Sequence, residues 1–132
     1  MTHAIAADEV VTFADGLPGF ESYRRFVLVA SPVLSPFTLV QGLDEGAPSF
    51  VAIDPQLVDR DYVTSLETAD LARLQADAGR PLLWLALITP RGNGEATVNL
   101  RAPLVINPGT MRGIQFIPPD SPYRIDHPLA TA

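Results

Sequence analysis

Punctuation is what most narrows the fold of this chain. Nine short apolar runs follow one another, at residues 10–13, 26–29, 37–41, 50–53, 62–66, 82–89, 96–100, 104–107 and 113–117. Gly, Pro, Asp and Asn fill the gaps between them. Runs of four to eight residues broken by turn formers are the mark of strands, and their even spacing suggests a sandwich or barrel. At 132 residues the chain suits one domain, residues 1–132. The expectation is an all-β, small, barrel-like antiparallel domain. One short helix interrupts it, over residues 69–78. Thr68 serves as its cap, Asp70 lies in the first turn, Leu71 and Leu74 share a face, and Gly79 ends it.

The run LLWLALI at 82–88 is apolar on both alternations, so both its faces should be covered. One face points into the barrel and the other meets the helix or a partner, with Trp84 in the core. Inward positions are assigned to Phe26, Leu28, Phe50, Leu85 and Ile106. RGNG at 91–94 reads as a hairpin turn. In GLPGFE, Pro18 followed by Gly19 suits a type II turn rather than a phosphate cradle. From about residue 118 the proline-punctuated tail (PPDSPY) reads as extended.

The stretch EATVNLRAPLVINPGT, residues 95–110, carries the best strand signal and a contradiction. Pro103 sits between two strand-like pieces, yet proline cannot donate to a ladder. A barrel corner resolves this. Such a corner either turns the chain, with Asn99 and Asn107 satisfying backbone groups, or leaves an edge that accepts a partner strand.

The residues offer no catalytic set. There is no cysteine, and the two histidines, His3 and His127, lie near opposite ends. Neither stands at metal-ligand spacing from another His or a Cys, so no metal or cofactor is expected. Asp54, Asp59 and Asp61 read as solvated loop charges rather than an acid–base pair. No serine lies in a nucleophile elbow. The formal charge is −6, and every basic residue is arginine. A nucleic-acid binder of the OB type needs a cationic face, so that reading is disfavoured and no direct nucleic-acid contact is expected. The start MTHAIAADEVV lacks a basic region, and no apolar run approaches the ~20 residues of a membrane span. The expected compartment is the cytoplasm.

Read together and in order, TFADGLPGFE, PFTLVQ at 36–41, ATVNLRAPLVIN at 96–107, GIQFI at 113–117, and Tyr123 followed by HPL at 127–129 resemble the flagellar assembly factor FliW family. The likeness runs from about residue 12 to 129 and is thin over 58–80. The resemblance implies a non-enzymatic β-barrel, monomeric when free, with two partners: flagellin and the translational regulator CsrA. A FliW-like protein antagonises CsrA until accumulating flagellin sequesters it. On this reading the contact candidates are Asn99, Leu100, Arg101 and Pro103 in the NLRAP corner, and Asp44 and Glu45 in an acidic loop. The alternative is a small-ligand-binding barrel, which a large apolar cavity would favour and a filled interior would sink.

Overall fold

The structure is a computed structural model that describes residues 10–77, 79 and 81–129. Nine strands and two short helices follow in the order β1 (Val10–Phe13), β2 (Arg25–Val29), β3 (Phe37–Gly42), β4 (Ser49–Ile53), α1 (Pro55–Val58), α2 (Thr68–Arg73), β5 (Leu83–Gly92), β6 (Glu95–Val98), β7 (Leu104–Asn107), β8 (Arg112–Gln115) and β9 (His127–Pro128). The sheet runs β4-β3-β2-β1-β8-β7-β5, and β5 pairs back to β4, closing a seven-stranded barrel. Every neighbouring pair in the barrel is antiparallel except β1 and β8, which run parallel. Strands β6 and β9 extend outward from β5.

Alternation decides the interior. Val11, Phe13, Phe26, Leu28, Val40, Ala52, Leu85, Leu104 and Ile106 are buried in one cluster, with Phe50 packed against it. All five inward assignments from the sequence therefore hold. Each fully buried Phe or Leu contributes roughly 1.5–3 kcal/mol. Phe13 and Phe26 meet edge to face at 5.6 Å. Gly113 makes room for them, since a Cβ there would stand 2.6 Å from the Phe13 ring. Side chains fill the barrel, so the small-ligand reading loses the cavity it requires.

Strand β5 is covered on both faces. Its Leu83, Leu85 and Leu87 face the barrel. On the outer side Ala86 joins Ile53, Tyr62, Val98 and Leu100, while Trp84 packs with Leu74, Val105, Ile114 and Phe116. Leu74 lies just past α2, so the helix end does meet this face.

The punctuation behaves as its chemistry requires. Gly19 has φ +86° and the Phe20 amide donates to the Leu17 carbonyl at 2.7 Å, a type II turn on Pro18-Gly19. Asn93 and Gly94 both take positive φ between the paired Gly92 and Glu95, giving the β5–β6 hairpin.

Five expectations are corrected. Residues 62–66 form no strand; they run outside the ladders, anchored by Tyr62. A second helix, α1, precedes them, and its signal was legible: Asp54 caps the Gln56 amide at 2.9 Å and Pro55 occupies the first turn. The N-cap of α2 is Glu67 rather than Thr68; the Asp70 carboxylate accepts from the Glu67 amide at 3.0 Å. That helix stops at Arg73, because Gln75 turns left-handed at φ 53°, well before Gly79; Ala78 lies outside the described residues. The tail is not simply extended either: β9 pairs with β6 through Thr97–Pro128 and Val98–His127.

Candidate partner-binding surfaces

The NLRAP corner is a bulge along β5. Ile88 pairs with Val98, and Leu85 pairs with Leu104. Three steps along β5 are matched by six along the facing chain, and the three surplus residues loop out between β6 and β7. Pro103 ends that excursion, just before β7 begins, where the strand asks nothing of its nitrogen. Its carbonyl accepts the Phe116 amide at 2.8 Å.

Polar partners fill the corner. The Asn99 side-chain oxygen accepts the amides of Arg101 (3.1 Å) and Ala102 (3.0 Å). The Leu100 amide donates to the Arg124 carbonyl at 3.0 Å, and the Leu100 carbonyl accepts the Tyr62 hydroxyl at 2.8 Å. Asn107 acts similarly at the far end of β7. Its amide donates to the Leu74 and Gln75 carbonyls, and its oxygen accepts the Gly109 amide. The structural role given to both asparagines is thus in place. Leu100 and Pro103 are fully buried. Asn99 and Arg101 are half-buried, so they are what the corner presents outward.

Tyr62 holds this region from the other side. Its ring lies 4.4 Å from that of Tyr123, whose hydroxyl accepts the Val63 amide at 2.9 Å. Burial, and secondarily the neighbouring Tyr123, push the Tyr62 phenol up to about 12.

The acidic loop is only partly free. Arg25 donates to Asp44 at 2.6 Å, while Glu45 stands exposed beside it. The Asp59 carboxylate accepts the Asp61 amide at 3.0 Å, and the Asp61 side chain is exposed. Among the described residues no hydrogen bond or ion pair joins the acidic loop to the NLRAP corner.

Two surface grooves were invisible in the sequence. One, of about 430 Å³, lies between Asp15, Glu21, Glu67, Asp70 and Arg73 on one wall and Phe116 to Pro119 on the other. Arg73 bridges Asp15 at 2.6 Å across 58 positions of sequence, which no local pattern encodes. The other, of about 500 Å³, is bounded by Asp54, Pro55 and Gln56, by Tyr62, Val63 and Thr64, and by Pro81 to Trp84. No cluster of three His, Cys, Asp or Glu side chains suited to a metal ion occurs among the described residues. Among them, too, no helix is long and apolar enough to cross a membrane.

Known proteins share this arrangement over nearly its whole length. The family described as FliW protein matches residues 2–129. The flagellar assembly factor FliW of Thermosipho africanus is 35% identical over 128 residues, covering 96% of this chain and 88% of that protein. The Treponema pallidum protein of the same name is 35% identical over 129 residues, covering 97% and 85%. A crystal structure of the flagellar assembly factor FliW superposes with a TM-score of 0.84 at 29% identity, covering 98% of this chain and 91% of that one. With the family profile and relatives above 30% identity both spanning the barrel, the corner and the tail, the chain belongs to the FliW family.

Proposed function

We propose that this chain is a flagellar assembly factor that works without catalysis, by exchanging protein partners. Its relatives' shared name over 96% of the chain is the observation that carries the reading. The two partners are flagellin and the translational regulator CsrA. The chain is monomeric when free and acts in the cytoplasm, antagonising CsrA until flagellin claims it. The −6 charge suits a basic, RNA-binding partner, whose local positive potential an acidic neighbour would lower. Asp44 and Glu45 are the acidic contact candidates. At the corner Asn99 and Arg101 are the outward ones, with Leu100 and Pro103 supporting them from inside.

The test is a titration of the purified protein with flagellin and with CsrA, separately and mixed. The expected result is a stoichiometric complex with each, and displacement of CsrA as flagellin is added. A protein that binds neither, or that holds both at once without competition, overturns the reading.

A further inference from the structure

The second groove opens where a strand is missing. Alternate residues of β5 send their backbone groups to opposite edges. The Leu87 carbonyl accepts the Asn99 amide at 2.9 Å, so the odd-numbered residues face β6 and β7. The even-numbered ones face β4, where Ile88 pairs with Val51 and Ala86 with Ile53. The next even residue is Trp84, and in the same register its partner would be Pro55. Proline has no N–H to give, and Pro55 starts α1, which carries the chain away. The ladder to β4 stops there, although β5 continues to Leu83 and still pairs with β7 on its other edge. The peptide N–H and C=O of Trp84 are left at an open edge, beside the 500 Å³ groove.

The opposite wall has the same character. Tyr62, Val63 and Thr64 belong to a segment with strand-forming residues but no strand neighbour. Among the described residues the backbone of Thr64 makes no backbone hydrogen bond. Val63 is 72% exposed. The lining carries one charged side chain, Asp54, and its carboxylate already accepts the Gln56 amide.

We propose that this groove is a strand-addition site, in which an extended, uncharged segment of a partner protein takes the place that β4 vacates at Pro55. The occupant is defined by what the walls lack. An open edge needs a backbone that donates and accepts, which a helix has already used internally. The chain beside the groove, Pro81 and Leu82 leading into the first two residues of β5, Leu83 and Trp84, suits about four residues at ~3.3 Å each. A nearly uncharged lining favours β-branched and small polar side chains over charged ones. The proposal stands on the barrel geometry and does not depend on which partner supplies the segment.

The chain has no cysteine and a single tryptophan, which gives a clean experiment. Val63→Cys places a unique thiol on the groove wall at an exposed position. The probe is the peptide Cys-Gly-Gly-Thr-Val-Thr-Val-Thr amide, equilibrated with the full-length variant in a thiol–disulfide buffer. Two versions carry N-methyl groups, one on the valines and one on the threonines, so that one of them blocks the edge facing β5. Circular dichroism of the variant verifies the fold first. The expected result is that the parent peptide labels about tenfold more than at least one methylated version. A difference of that size matches ~1.4 kcal/mol, as two lost backbone hydrogen bonds would give. Labelling by the parent should also shift Trp84 emission. Equal labelling by all three peptides, or labelling that leaves Trp84 unchanged, overturns the proposal.

Discussion

The Tyr62 hydroxyl donates to the Leu100 carbonyl at 2.8 Å, tying together residues 38 positions apart. Tyr62 is 5% exposed and Leu100 is fully buried, so neither group has water as a substitute partner. One hydrogen bond thus fastens the unladdered 62–66 segment to the NLRAP bulge. Tyr62→Phe keeps the ring and strands a buried carbonyl, at a cost of about 1–3 kcal/mol. Urea unfolding of wild type and variant should show a lower midpoint with an unchanged slope.

The same hydroxyl sets an alkaline limit. Its pKa rises from 10.0 to about 12 on folding, because burial disfavours the phenolate. The folded chain therefore keeps the proton while the unfolded chain loses it. This contribution is fully present below pH 10 and is lost as pH rises from 10 to about 12. Within that window stability should fall by up to ~1.4 kcal/mol per pH unit. Melting temperatures measured across pH 9 to 12 should show the decline in wild type and a shallower one in Tyr62→Phe.

Leu100 packs with Ile53, Ala86 and Val98 rather than facing solvent. Leu100→Ala should cost about 2–5 kcal/mol by removing buried methyl groups and leaving a cavity. Leu100→Asp should abolish the cooperative melt, since a carboxylate there would have no partner. Arg101→Ala leaves the interior intact and should melt within about 0.5 kcal/mol of wild type. If the corner contacts flagellin, Arg101→Ala is the variant that reports it.

The barrel was legible because its signals are local. Eight of the nine apolar runs became strands, and Phe26, Leu28, Phe50, Leu85 and Ile106 faced inward as period-two alternation requires. The turns at Pro18-Gly19 and Asn93-Gly94 were legible for the same reason: the residues state their own dihedrals. Residues 62–66 misled because strand propensity does not decide whether a segment joins a ladder; this one is held instead through the Tyr62 hydroxyl on Leu100 and the Val63 amide on Tyr123. NLRAP showed a corner but not its size, which depends on register against β5. The grooves were not legible at all, since their walls meet only after the barrel closes.

Gly113 measures how tightly that barrel is filled. A Cβ at this position would lie 2.6 Å and 2.8 Å from two ring atoms of Phe13, itself fully buried against Phe26. The ring has no open space to swing into. Gly113→Ala should destabilise by about 1–3 kcal/mol through overpacking, despite the lower unfolded-state entropy that alanine brings. Thermal melts decide it, and a variant as stable as wild type would show that the interior is looser than its contacts imply.

The acidic loop makes a kinetic prediction that rests on the proposed pairing with CsrA. Asp44 is held by Arg25 at 2.6 Å, and among the described residues no cation pairs with Glu45, so the three side chains together carry one negative charge. Both partners of the pair are substantially exposed, so the bridge contributes little to stability and its loss should leave the fold intact. Arg25→Ala makes the loop more negative; Glu45→Lys makes it positive. If the loop steers a basic partner, the first change should speed association and the second should slow it, each by severalfold at low salt. At 0.5 M salt the Debye length shrinks to about 4 Å and the rates should converge. Flagellin binding should respond less if that interface rests on apolar or backbone contacts. Stopped-flow association with CsrA at low and high salt reads all of this. Rates that ignore both substitutions would remove the loop from the encounter and leave Asp61, exposed on the other side of α1, as the acidic position to test next.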